Sequence, residues 1–265
     1  MKRVVFNQKG GVGKTSITCN LAAIGAAMGY RTLVIDLDVQ GNSTHYLVGE
    51  IDAEAFPAEA QGVAGLFKQT VGSRKMRQNP DSFVWDTPYE NLYLMPSSPI
   101  LSTLEKELES RYKIYKLRDA LEKLESEYDR IYIDTPPNFN FFSKSALIAV
   151  DSVLVPFDCD SFARQSLYSL MENIAELQED HNPDLQVEGI VINQFNSQAR
   201  LPGELVAELA EEGYPIFNTY LNTSIKMKES HRAHRPLIDM APSHKLTGQY
   251  LDLHAELEAS IAKAA

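Results

Sequence analysis

Short apolar runs alternate with longer amphipathic segments along most of the chain. Arg3 to Asn7 is a β-branched and aromatic run that stops at a glycine-rich turn, and Thr15 to Met28 follows with apolar residues at helical spacing, closed by Gly29. Thr32 to Asp36 is nearly all apolar, the pattern of a parallel strand covered on both faces. The rhythm returns as a strand at Asn91 to Met95, a long polar helix at Leu101 to Glu127 and a strand at Arg130 to Asp134. It ends with a strand at Asp151 to Pro156, a helix at Ser161 to Glu179, a strand at Val187 to Asn193 and a helix at Pro202 to Glu212. This alternation predicts an α/β fold: one mostly parallel twisted sheet with helices on both faces, in a single domain spanning residues 1–265.

Two segments depart from the rhythm. Residues at about 50–90 mix Ala, Gln, Gly and Pro with the cations Arg74, Lys75 and Arg77, and are expected to form insertion helices and loops beside the functional site. At about 244–262, Leu246, Tyr250, Leu253, Leu257 and Ile261 recur at spacings of four and three, the stripe of an amphipathic helix.

Composition narrows the class. With 44% hydrophobic and 23% charged residues over 265 positions, the chain can bury a core without disulfides. Only Cys19 and Cys159 are present, which fits a reducing compartment. No apolar run reaches the length of a membrane span and Met1 to Lys9 has no signal-peptide character, so a cytoplasmic protein is expected. Asp252, Glu256 and Glu258 on the last helix argue that it packs onto the domain rather than onto an anionic membrane.

The clearest chemistry lies in Lys9-Gly10-Gly11-Val12-Gly13-Lys14-Thr15-Ser16, between an expected strand and an expected helix. Glycines let backbone N–H groups turn inward around phosphate oxygens, and the helix start adds the positive end of its dipole. Lys14 is placed to reach the β and γ phosphates of a nucleotide, and Thr15 to offer its hydroxyl to Mg²⁺. Asp134 closes an apolar strand, where a carboxylate can hold Mg²⁺ directly or through its water.

Asn7 to Thr15 resembles the deviant Walker A loop of the ParA/MinD family of ATPases, with Gln8 where a usual loop has its first glycine. Asp36-Leu37-Asp38-Val39-Gln40-Gly41-Asn42 resembles that family's next motif, with Val39 at a position usually held by proline. Tyr128 to Pro137 resembles its Walker B region, and the three motifs occur in family order. The likeness is greatest to ParA/Soj-type partitioning proteins without an N-terminal helix-turn-helix domain. It implies a P-loop NTPase fold with ATP and Mg²⁺ as ligands. It also implies that Lys9 crosses the interface of an ATP-bound homodimer to meet charge on the γ phosphate, and that Asp38 orients the attacking water. Asp36 either supports the metal shell or is structural. Asn193 either recognises adenine, as an asparagine at this place often does in the family, or makes a strand-ending turn.

The resemblance implies a target as well. Between Ser224 and Lys245, five cations stand against Glu229 and Asp239, a local +3 in a chain of net charge −11. Lys226, Lys228, Arg232 and Arg235, with Arg200, are therefore candidate contacts to nonspecific DNA, against the alternative of an ordinary solvated helix face. Tyr220-Leu221-Asn222 replaces the isoleucine-proline-arginine common in the family, which removes a cation. His231 and His234 are read as exposed side chains, and Asn138 to Phe142 as the buried start of a helix, against the alternative of a dimer or partner surface. The implied activity is ATP-dependent dimerisation and DNA binding, released on hydrolysis and used to position a plasmid, chromosome or protein cargo. Its implied partner is a ParB-like or cargo adaptor that stimulates turnover, and its implied location is the nucleoid when ATP is bound. The alternatives are a synthetase-like enzyme that activates a small carboxylate, and an ATP-gated protein scaffold.

Overall fold

The computed structural model describes residues 1–50, 61–71, 78–159, 163–196 and 200–264. The apolar runs form β1 (Lys2–Val5), β2 (Thr32–Asp36), β3 (Trp85–Asp86), β4 (Leu92–Met95), β5 (Arg130–Asp134), β6 (Ser152–Asp158) and β7 (Gln186–Asn193). They make one sheet in the order β3-β4-β2-β5-β1-β6-β7, parallel except for the antiparallel edge strand β3. Because side chains alternate across a strand, Val4, Leu33 and Ile35 enter one core, while Val5 and Val34 enter the other.

The helices α1 (Lys14–Ala27), α2 (Asn42–Val48), α9 (Ile225–Ala233), α10 (Leu237–Met240) and α11 (Lys245–Ala264) gather on one face. The other face carries α3 (Gly62–Val71), α4 (Leu101–Ser110), α5 (Lys116–Leu124), α6 (Phe141–Ala149), α7 (Ala163–Asp180) and α8 (Arg200–Glu211). Helix α1 is buried from Ile17 to Ala26, since it lies between the sheet and the helices α2, α10 and α11. An all-round apolar helix of this kind belongs in a core.

Helix α11 packs as its apolar stripe requires, with Leu246, Tyr250, Leu253 and Leu257 buried. Its acids serve this docking. Glu258 accepts two bonds from the Arg130 guanidinium, at 3.1 and 2.6 Å, and Glu256 accepts from the Asn218 backbone N–H and from the Thr219 hydroxyl. Among the described residues, no helix is long and apolar enough to cross a membrane. Phe141 and Phe142 are buried, as expected.

Two expectations need correction. The long helix at Leu101 to Glu127 is two helices, α4 and α5, because Tyr112 adopts a left-handed φ of 55°. The N–H of Lys113 bonds to Leu108 O at 3.0 Å and that of Tyr112 to Glu109 O at 3.0 Å, the paired bonds that end a helix after such a residue. Helical periodicity runs through this break and could not reveal it. The segment at about 50–90 is also more than an irregular appendage. In α3, Val63, Ala64, Leu66 and Phe67 are buried in the main core, and β3 extends the sheet. Gly62, at φ 55°, lets α3 start against β4, since a Cβ there would lie 2.2 Å from Pro96 O. The cations Arg74, Lys75 and Arg77 lie outside the described residues.

One buried ion pair ties β1 to β7. Arg3 is fully buried, and its Nε and Nη2 donate to the Glu188 carboxylate at 2.6 and 2.5 Å while Nη1 donates to Tyr132 Oη at 2.9 Å. Removing one partner strands the other charge in a low-dielectric site. Glu188→Ala is therefore expected to lower unfolding free energy by about 3–5 kcal/mol in urea titrations.

Candidate active site

The sheet brings the motifs together at the carboxyl ends of its central strands. In β-register, Val5 pairs with Asp134 and Asp36 pairs with Asp134, so β1, β2 and β5 end at one level. Strand β1 lies between β5 and β6, where the chain order reverses, the usual crevice for a ligand in an open α/β sheet.

The loop after β1 enters α1 at Gly13, whose φ is 93°. A Cβ there would stand 2.1 Å from Asn193 Nδ2, so only glycine fits. The cause of this crowding is a brace: Asn193 Nδ2 donates to Val12 O at 2.8 Å, and Gln194 Nε2 donates to Gly11 O at 2.7 Å. Lys14 Nζ reaches back to donate to Asn7 O and Lys9 O, both at 2.9 Å. Two of its three donors thus span the loop, and one remains for a phosphate oxygen. Burial lowers the pKa of Lys14, opposed by the charges of Asp134 and Asp38. Helix α1 begins without a side-chain cap or an acid in its first turn, so its N–H groups and dipole are offered to an anion.

Asp134, fully buried at the end of β5, accepts on Oδ2 from Thr15 Oγ1 at 2.7 Å and from Ser43 Oγ at 2.6 Å. Burial pushes its carboxyl up from the ordinary range, against the pull of these two hydroxyls. A carboxylate with a threonine hydroxyl beside it is the hard oxygen donor set that suits Mg²⁺ bound together with substrate phosphates. Asp36 is also fully buried, and its pKa is raised first by desolvation and then by the charge of Asp134. Its Oδ2 accepts from the N–H and hydroxyl of Thr44 at 2.8 and 2.7 Å, and its Oδ1 from Asp38 N at 3.1 Å. These bonds fix the start of α2 and the loop that carries Asp38.

A cavity of about 540 Å³ opens over this constellation. Gly10, Gly11, Gly13, Lys14, Thr15, Ser16 and Asp38 line it, together with Gln40, Asn42 and Pro137. Its remaining wall comes from Tyr46 and His45 on α2 and from His231 and His234 at the end of α9. Asp38 is almost wholly buried, and its Oδ1 accepts from Gln40 N at 3.0 Å. Lys9 and Asn193 do not line the cavity: the Lys9 backbone N–H bonds to Asn7 Oδ1, and Asn193 supports the loop from behind.

The reading of His231 as an exposed side chain is corrected. Its Nε2 lies 2.7 Å from Ser16 Oγ, and its ring stacks on Tyr46 with centroids 4.3 Å apart. His234 Nδ1 bonds to His45 O at 2.6 Å. A helix-face argument could not foresee this, because the contacts are made by elements about 190 to 215 positions away in sequence. Sequence reasoning also missed Ser43 and Gln194. The polar run Asn42-Ser43-Thr44 directly after the second motif was a signal for the first, while nothing in the local pattern marks the second.

The candidate DNA contacts divide. Lys226 pairs with Glu229 at 2.5 Å and Arg235 with Asp239 at 2.7 Å, each within one turn. Lys228 and Arg232 are exposed and one turn apart on α9. Arg200 begins α8, and its side chain lies outside the described residues.

Comparison with known proteins fits this geometry. The AAA domain family model matches residues 2–187. The chain is 32% identical to the chromosome partitioning protein ParA of Myxococcus xanthus over 258 residues, covering 96% of this chain and 86% of that one. Among solved structures, apo McdA of Cyanothece shares the fold at a TM-score of 0.83 and 21% identity, with 98% of each chain covered. Cobyrinic acid a,c-diamide synthase of Mycobacterium smegmatis, solved with ADP and magnesium, is similar at a TM-score of 0.73 and 26% identity, covering 88% of this chain and 91% of that one.

The crowding at Gly13 gives a direct test. Gly13→Ala is expected to lose ADP binding by at least about tenfold in calorimetry, because the added methyl must displace Asn193 and adopt a strained φ. An unchanged affinity would show that the loop does not hold phosphate in this conformation.

Proposed function

The chain belongs to the ParA/MinD family of deviant Walker A ATPases, and from that premise we propose that it is a positioning switch that dimerises on ATP, binds nonspecific DNA and lets go after hydrolysis. One observation carries the reading: α9 presents Lys228 and Arg232 outward while its last turn walls the nucleotide cavity with His231. A single short helix thus meets both the site of turnover and the surrounding solvent.

Each step has a side chain suited to it. Backbone N–H groups from Gly10 to Ser16 cradle the phosphates, and the free donor of Lys14 meets the β and γ oxygens. Thr15 and Asp134 are the residues that would hold Mg²⁺, which when bound would supply charge neutralisation. Asp36 acts on this centre through the bonds that fix Asp38 and the start of α2. Asp38 orients the attacking water. Lys9, on the loop beside the exposed Gly10 and Gly11, serves the second copy of the chain in an ATP-bound homodimer. Asn193 braces the loop through one N–H of its amide, and the second N–H and Oδ1 are the groups that can meet adenine. An adaptor of the ParB type accelerates hydrolysis, and the ATP-bound form is associated with the nucleoid.

Asp38→Ala is expected to keep ATP binding, slow hydrolysis by about a hundredfold or more, and elute as a dimer with ATP in light scattering. This trapped dimer should bind random-sequence DNA with ATP and not with ADP. Lys228→Ala/Arg232→Ala in the same background removes two cations from each copy and should reduce the slope of log affinity against log salt by about 4 for the dimer. If a trapped dimer ignores DNA at low salt, the DNA switch is wrong. ATP turnover that then requires a small carboxylate would favour the synthetase reading, to which the likeness to the diamide synthase also points.

A further inference from the structure

We infer that His231 is a positioning residue for nucleotide binding, which acts through Ser16 by holding its hydroxyl proton toward the phosphates. The inference rests on the nucleotide reading of the cavity and adds to it a residue from α9, outside the three motifs.

The proton inventory of the contact leads there. Ser16 follows Thr15 at the start of α1, and both Ser16 and His231 line the cavity. A serine hydroxyl has one proton to give and two lone pairs. With the His231 proton on Nε2, the imidazole donates to Ser16 Oγ across 2.7 Å, and the serine proton is free for a phosphate oxygen. With the proton on Nδ1, Ser16 must donate to Nε2, and its oxygen lone pairs then face the anion. Nucleotide binding therefore favours the first tautomer.

The ring is held for this task from two sides. It stacks on Tyr46 at an interplanar angle of 19°, and the Tyr46 hydroxyl in turn contacts Ser230, the residue before His231. Asn20 on α1 ties Tyr46 to α10: its Nδ2 donates to Tyr46 Oη at 3.1 Å and its Oδ1 accepts from Leu237 N at 2.8 Å. The imidazole thus has a fixed plane, and its remaining freedom is which nitrogen bears the proton.

Two measurements on the full-length protein test the inference. First, ADP affinity is measured by calorimetry for the wild type, Ser16→Ala, His231→Phe, the double variant and His231→Gln. His231→Phe retains a ring to stack on Tyr46 but no donor, and is expected to weaken ADP about tenfold, the effect of one misdirected hydrogen bond to a charged group. His231→Gln restores a donor and should recover most of that loss. In the Ser16→Ala background, His231→Phe should cost almost nothing more, because the two residues act as one unit. Equal losses from His231→Phe in both backgrounds would overturn the inference. Second, nitrogen NMR of the unmodified protein with ADP should show the His231 proton on Nε2, and a proton on Nδ1 would overturn it even if the Phe variant fails to fold. If the wild type binds neither ADP nor ATP, the nucleotide reading itself falls. If it binds both and the variants match it, only the role of His231 falls.

Discussion

Everything at the site is referenced to one buried carboxylate. Asp134 ends β5 at the level where β1 and β2 also end, and it takes hydrogen bonds from Thr15 on α1 and Ser43 on α2. Three segments far apart in sequence are thereby held to a single oxygen. An ionised carboxyl in such a place is costly to bury, and the two hydroxyls offset part of that cost. The charge of Lys14 offsets a further part, so the carboxyl is balanced by one cation and two hydroxyls from other segments.

Around that centre the protein distributes rigidity unevenly. The phosphate loop is braced from β7 by Asn193 and Gln194, and its own Lys14 is tied to loop carbonyls. The rim at Gly10 and Gly11 is exposed. On the other side α9 walls the cavity through His231 and His234, and the same helix carries the exposed Lys228 and Arg232.

The charge distribution reads differently in the fold than along the chain. Counted in sequence, the C-terminal region is a basic patch on an acidic body. In the structure, Glu229 and Asp239 each take one of its five cations, and the exposed Lys228, Arg232 and Lys245 are the other three. Two acids of the last helix do more than face solvent, since Glu258 engages Arg130 and Glu256 engages the Asn218 and Thr219 loop.

Sequence alone determined the elements whose signals are local. Buried parallel strands are continuous apolar runs, so Thr32 to Asp36 and Arg130 to Asp134 were legible to the residue. The loop from Lys9 to Ser16 carries a local signal in its glycine, lysine and hydroxyl spacing, and the fold adds a constraint of its own where Asn193 crowds Gly13. What only the tertiary structure decided is whatever depends on a partner distant in the chain. The break at Tyr112 follows from a left-handed φ in a residue type that rarely adopts it, and α3 became core because it packs against α4. The support of the loop by Asn193 and Gln194, and of Ser16 by His231, arises from strands and helices meeting across more than 180 positions. A side chain's hydrogen-bond partner is set by where the fold delivers it, and no periodicity within its own helix or strand carries that information.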